Sequence, residues 1–312
     1  LRTSIIVPVY NGAHVLPLTV PAVLAQAGVD AWVWVDDGST DGTGRVLRAL
    51  LDGEPRARVV RQPENRGRAA ARNRGLAATS GDVVVFFDAD VRPPLGAARR
   101  LADAVAGRGA VASVGRVRPV LDRPDDPYQT YLARHPRGAS GAPGSAVSWK
   151  YWITCVCAAR RSALDAAGRF DEAVEYGEDL ALACRLRRRH PDGLRLADVA
   201  VDLFDVGTLA SALANMRSVG RVLPALVRRC PDVLALAGVE RAAASRALLA
   251  LARVPVPERL LRAGLRVLPT AARPRAVRYL LGHALLSAFA GAPRRPPPSD
   301  PVGGPGGRLR RG

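Results

Sequence analysis

The sequence predicts an α/β protein built on a doubly wound, mostly parallel sheet. Three observations carry that expectation. Short apolar runs suited to burial on both faces alternate with helix-periodic stretches. Each run empties into a polar loop, and right-handed crossovers bring such loops to one rim of the sheet. The most apolar run, Val84 to Phe87, leads into Asp88-Ala89-Asp90, at the end of a strand where open α/β sheets hold ligands.

Taken in order, Ser4 to Val9 reads as a buried strand, with Pro8, Tyr10, Asn11 and Gly12 turning the chain. Apolar residues at helical spacing follow from Val15 to Ala27, and Gly28 is a stop. A second strand, Ala31–Val35, ends in Asp36-Asp37-Gly38-Ser39-Thr40-Asp41, whose small polar residues cap a helix from about Thr43 to Leu51. The strand Arg58–Arg61, the loop through Asn65-Arg66-Gly67 and the helix Arg68–Ala78 lead to the central strand. Beyond Asp90 come a helix over Pro93–Val105 and a strand over Ala110–Val120. Asp122–Ser148, rich in Pro and Gly, reads as a long mobile loop. A strand over Ile153–Ala159, a helix over Arg160–Ala167 and a helix over Leu180–Arg189 complete this part.

The strand ends make Tyr10, Asp36, Asp37, Asp88 and Asp90 neighbours at one cleft. Two hard oxygen ligands there suit Mg²⁺ or Mn²⁺ carrying a diphosphate, although solvated acids closing a core strand would look the same. Pro-Val-Tyr-Asn-Gly stands where a dinucleotide-binding unit needs Gly-x-Gly-x-x-Gly, and no Walker A loop is present. Glu178 and Asp179 open a helix, where acids complement the helix dipole; Asp179 facing the cleft would also serve as a general base. Trp149, Lys150 and Trp152 read equally as core and as an acceptor-facing, sugar-stacking patch.

The chain has 48% apolar residues and a formal charge of +18, which invites an anionic partner. The basic residues are arginines apart from Lys150 and are spread along the chain without a nucleic-acid motif, so nucleic acid is not the expected partner. Cys155, Cys157, Cys184 and Cys230 lack zinc-ribbon spacing, so buried free thiols and a reducing cytosolic setting are expected. No signal peptide and no apolar run of transmembrane length is visible.

Together the motifs resemble the family 2 inverting glycosyltransferases, which have the GT-A fold. The signatures are Ile6-Val7-Pro8-Val9-Tyr10-Asn11, Val35 through Thr43, Asn65-Arg66-Gly67 through Ala71-Arg72-Asn73, Phe87-Asp88-Ala89-Asp90, and Gly168-Arg169-Phe170-Asp171-Glu172 before Gly177-Glu178-Asp179. The resemblance implies a mixed, mostly parallel sheet flanked by helices and a nucleotide-sugar donor of UDP or GDP type. It implies donor binding by Pro8, Tyr10, Asp36, Asp37, Arg72, Asn73 and Asp88. A divalent metal, Mg²⁺ or Mn²⁺, is implied on Asp90 and Asp88, and catalysis by Asp179 with Glu178 beside it. The chain departs from the pattern twice. Ala181 stands where many members have another acid, and Val201–Gly207 lacks their metal-side histidine, so that either Asp202 or Asp205 substitutes or the site uses fewer protein ligands.

Three segments are expected: a catalytic domain over 1–207, a helical extension over 208–291 and a disordered Pro/Gly/Arg tail over 292–312. Apolar helices with interspersed arginines fit either packing on the catalytic domain or contact with an anionic membrane, at the inner face of the plasma membrane. The expected acceptor is a glycan or a polyprenyl- or lipid-linked sugar. The alternative function is a catalytically silent scaffold of the same fold.

Overall fold

The computed structural model describes residues 1–107, 109–135, 138–236, 265, 268 and 272–292. Strands β1 (Thr3–Val9), β2 (Ala31–Asp36), β3 (Ala57–Arg61) and β4 (Val83–Phe87) alternate with helices α1 (Leu16–Leu24), α2 (Thr43–Leu50) and α3 (Gly67–Ala77). β4 is buried at every position, as a strand covered on both faces must be. A two-residue strand β5 (Val91–Arg92), helix α4 (Ala97–Ala106) and strand β6 (Ala112–Pro119) follow. Strand β7 (Val156–Arg160), helices α6 (Arg161–Ala166) and α7 (Glu178–Arg189) and strand β8 (Leu194–Leu203) close the sheet.

The eight strands run in the order β3-β2-β1-β4-β7-β6-β8-β5. β1 pairs in parallel with both β2 and β4, so the chain order reverses on either side of it. The loops after β1, β2 and β4 therefore open a crevice at the carboxyl ends of parallel strands, which fixes where a ligand can sit. β7 runs antiparallel to both β4 and β6, which makes the sheet mixed.

The layers on the two faces form separate cores. Ile5, Val7, Phe87 and Leu101 belong to one; Ile6, Phe86, Leu182 and Trp149 belong to the other. Gly38 has φ of 73°, and a Cβ there would strike the backbone of Glu64 and Asn65. Only glycine lets the loop after β2 lie that close to the loop before α3.

Asp122–Ser148 is not simply a loop. It contains helix α5 (Pro127–Arg134), with Asp126 accepting from the N–H groups of Tyr128 and Gln129 and Pro127 in the first turn. α5 packs with helices α8 (Leu209–Arg229) and α10 (Arg273–Gly291) through Tyr128, Leu132, Leu213, Val277 and Leu280. A short helix α9 (Val233–Leu236) follows α8. At Gly220 a Cβ would strike the Leu285 carbonyl of α10, so the backbones of the two helices approach closely there.

α8 and α10 bury apolar residues such as Leu213, Leu223, Val277 and Leu280 in this packing. Among the described residues no helix is long and apolar enough to cross a membrane. Residues 237–264, 266–267 and 269–271 of the expected extension, and the expected tail from 293 onward, lie outside the described residues. The cysteines are free, with Cys157, Cys184 and Cys230 buried and Cys155 partly so.

Candidate active site

A cavity of about 440 Å³ opens where β1, β2 and β4 end. Its walls include Pro8, Tyr10, His14, Asp37, Arg68, Arg72, Asp88, Asp90, Tyr176 and Asp205. That volume is in the range of ordinary small-molecule sites.

The loop after β1 is laced to the loop after β2. Asn11 N–H donates to Ser39 Oγ at 2.9 Å, Gly12 N–H donates to Thr43 Oγ1 at 2.9 Å, and Thr40 N–H donates to Asn11 Oδ1 at 2.9 Å. Tyr10 is left half exposed over the opening. The paired acids after β2 then divide. Asp36 is fully buried, takes Arg61 at 2.7 Å and accepts from Ser39 N–H, so it holds the loop and does not reach the cavity. Asp37 does reach it, accepting from Gln62 and from the N–H groups of Arg66 and Gly67. Burial pushes its carboxyl up, and those three hydrogen bonds oppose the shift.

Asp88 and Asp90 both line the cavity, as their spacing predicts. Thr19 Oγ1 of α1 donates to the Ala89 carbonyl at 2.7 Å, and Phe204 N–H donates to the Asp90 carbonyl at 2.8 Å. The second bond brings the exit of β8 beside the acids. Asp205, with φ of 48°, turns its carboxylate into the wall, 3.6 Å from His14 Nε2. Asp202 instead faces outward, paired with Arg92 at 3.0 Å and Arg118 at 2.8 Å. Asp205 is therefore the acid available where the histidine is missing. Burial, then the charge of Asp88, with Asp205 adding, pushes Asp90 up to about 7.

The donor set fits a divalent cation of the oxygen-seeking kind. Among the described residues no three His, Cys, Asp or Glu side chains close on one point. Such an ion would take its remaining positions from phosphate oxygens and water, as magnesium sites at nucleotides do. Asp90, whose negative charge its surroundings disfavour, gains most from a cation.

Beneath the cavity Arg72 forms a buried bridge. Its guanidinium, 2% exposed, reaches Glu178 at 2.6 Å and Asp88 at 2.9 Å and lies over the Phe170 ring. Both amino groups are thus occupied, and Nε has no partner among the described residues. Glu178, also buried, is half of that bridge and does not line the cavity. Asp179 is partly exposed but does not line the cavity, whose wall takes Glu175 and Tyr176 from the turn before it, so it does not face the cleft directly as expected. Its Oδ1 accepts from Leu180 N–H at 2.7 Å. Burial and the charge of Glu178 push its carboxyl up to about 6, against the pull of Arg72.

A profile of glycosyl transferase family 2 matches residues 4–166, just over half of the 312-residue chain. The chain belongs to that family. Succinoglycan biosynthesis protein ExoU of Rhizobium meliloti is 42% identical over 86 residues, 28% of this chain and 25% of that protein. The pre-mycofactocin glycosyltransferase of Mycobacterium tuberculosis is 34% identical over 194 residues, 59% of this chain and 38% of that one. The chain thus spans well under half the length of these relatives. Among solved structures, the mannosyltransferase PcManGT from Pyrobaculum calidifontis, in complex with GDP-Man and Mn²⁺, superposes with a TM-score of 0.60 at 22% identity. That match covers 93% of this chain and 88% of that one. TarS 1–349 of S. aureus, in complex with UDP-GlcNAc, gives 0.59 at 14% identity, covering 93% and 90%. The fold is GT-A.

Several expected site residues sit elsewhere in this family 2 chain. Asn73 is a structural clasp: its Nδ2 donates to the Phe170 carbonyl and to Glu172, and its Oδ1 accepts from Phe170 N–H. Trp149 and Trp152 are each 2% exposed, in the core, so they offer no face to an acceptor; Trp149 Nε1 donates to the His190 and Pro191 carbonyls. Lys150 is exposed and lies over the Tyr151 ring. Sequence reasoning missed His14, Arg68 and Tyr176. Position in a loop after a strand was a usable signal for His14, while the other two depend on which way a helix and a turn face.

Proposed function

We propose that the protein moves a sugar from a nucleoside-diphosphate sugar of UDP or GDP type to an acceptor hydroxyl, inverting the anomeric carbon. The observation that carries this reading is the cavity at the strand ends, where Asp37 and Tyr10 stand on one side and Asp88, Asp90 and Asp205 on the other. Pro8, Tyr10 and Asp37 take the nucleoside, and Asp88 takes the ribose and sugar. Asp90 and Asp88 hold Mg²⁺ or Mn²⁺, and Asp205 stands on the same wall as an outer acid that adds negative charge to the site. When bound, that ion neutralises charge growing on the departing diphosphate.

The chain's own residues supply the rest. Asp179 accepts the proton of the acceptor hydroxyl. The acceptor's hydroxyl oxygen forms a bond to the anomeric carbon as the bond to the diphosphate breaks, and the diphosphate leaves with that electron pair. Arg72 acts from behind, locking Glu178 and Asp88 so that Asp179 and the metal-binding acids keep one spacing. Ligands named with the structural neighbours, GDP-Man with Mn²⁺ and UDP-GlcNAc, support the donor class. The succinoglycan relative supports a glycan or lipid-linked glycan acceptor in cell-envelope synthesis. All the cavity residues named fall before Gly207, which supports a catalytic domain ending there and a separate extension after it.

The test is thermal stabilisation by UDP, GDP and dTDP, each with and without Mn²⁺. Stabilisation by one nucleotide that needs the metal and vanishes in Asp90→Ala supports the reading. A folded protein that responds to none of them leaves the silent scaffold as the better description.

A further inference from the structure

Acidic side chains outnumber basic ones on the cavity wall, and most of the basic ones there are already engaged. Arg72 spends both amino groups on Glu178 and Asp88. His14 leans on Asp205. Arg68 lines the same cavity and, among the described residues, has neither a salt bridge nor a hydrogen-bond acceptor. A guanidinium has five donors in a planar fork matched to phosphate oxygens, so an unclaimed one facing a cavity invites an oxyanion.

The side chain is also held in place. Its guanidinium stacks over the Tyr176 ring, 5.4 Å from the centroid, and Tyr176 Oη donates to Asn215 Oδ1 of α8 at 2.7 Å. A contact with the ring face uses none of the guanidinium's N–H donors, so they remain available to a ligand. Arg68 lies in the first turn of α3, an 11-residue helix whose N-terminus carries partial positive charge towards the same space. Burial works against its charge, yet Asp88, Tyr176 and Glu178 hold its pKa above the ordinary arginine value. The guanidinium therefore stays charged when a ligand excludes water.

We propose that Arg68, parked by the Tyr176–Asn215 pair, is the residue that recognises the diphosphate of the donor, in place of the buried Arg72. The proposal rests on the nucleotide-sugar reading above. Arg68 takes phosphate oxygens from its own wall of the cavity and offsets charge that the metal alone leaves uncompensated. It selects a nucleoside diphosphate over a monophosphate or a free nucleoside.

The experiment is calorimetric titration of UDP, UMP and uridine, and of GDP, GMP and guanosine, with Mn²⁺ present, into the wild type, Arg68→Met and Arg68→Lys. Methionine keeps a stem on Tyr176, and an unchanged melting temperature without ligand shows that the variant folds. The expected result is a loss of about 10- to 100-fold in diphosphate affinity in Arg68→Met, the range of hydrogen bonds to charged groups. Nucleoside affinity stays unchanged, and lysine restores part of the loss. Equal weakening of diphosphate and nucleoside, or no weakening, overturns the proposal while the donor reading stands. A folded wild type that binds none of the six overturns both.

Discussion

Replacing Arg72 by leucine removes the salt-bridge partner of the buried Glu178. The pair is 2.6 Å apart, with the two side chains 2% and 5% exposed. Asp88, 35% exposed, can turn to water when its partner goes, so most of the cost falls on Glu178. Breaking a buried pair by deleting one partner costs about 3–5 kcal/mol. At about 2 °C per kcal/mol for a chain of this size, Arg72→Leu should melt about 6–10 °C below wild type. The double variant Arg72→Leu/Glu178→Leu should recover most of that, because apolar replacement of a whole buried pair is often close to neutral. Thermal unfolding without nucleotide is the assay, read as the change in melting temperature between variant and wild type. A single variant melting within about 1 °C of wild type, or a double variant no more stable than the single, refutes a buried, charged bridge.

Two further outcomes follow from the acids. Asp179→Asn should abolish transfer while leaving metal-dependent stabilisation by the donor nucleotide intact; loss of both would mark a binding residue instead. The folded carboxyl titrates at about 6, above its ordinary 3.8. Transfer should therefore fall as pH drops through 6. The stability linkage has the opposite sense: over that window the native state holds the proton and the unfolded state does not. The contribution is complete below pH 3.8 and is lost as pH rises through 6, so Asp179→Asn should flatten that decline in a melting series. Asp205→Asn should raise the Mn²⁺ needed for half-maximal nucleotide stabilisation by about tenfold. Asp202→Asn, changed in the same way, should leave that requirement alone, since its carboxylate is committed to Arg92 and Arg118. Equal effects of the two would deny Asp205 a place in the site.

The sheet was legible because parallel strands covered on both faces must be continuously apolar, and Ile5–Val7, Val33–Val35 and Val83–Phe87 are. The cleft was legible for the same reason, since strand ends determine where Asp88 and Asp90 stand. What the sequence hid were choices made by distant packing. Arg68 and Arg72 lie one turn apart on the same side of α3, and nothing local says which of them α7 will bury. Glu178 and Asp179 are consecutive, and a helix turns them about 100° apart. Arg72 claims the inward one. Asp36 and Asp37 differ because Arg61, on the neighbouring strand, reaches only the first. The Asp126-Pro127 helix start was readable, but glycines and prolines on both sides drowned it. Trp149 and Trp152 misled because a Gly/Pro-rich approach makes buried indoles look exposed.

The bridge at Arg72 also bears on how the protein is made. Its partners lie 16 and 106 positions further along the chain, at Asp88 and Glu178. At ribosomal speeds of about 5–20 residues per second, the arginine exists for about 5–20 s before Glu178 has been synthesised. During that interval the first four strands can pair, but the position beneath the cavity holds a cation with half its counter-charge missing. The nascent cavity therefore stays loose until α7 docks. A chain cut short before that helix keeps an apolar sheet with no finished site, and it should be the form that chaperones and proteases meet.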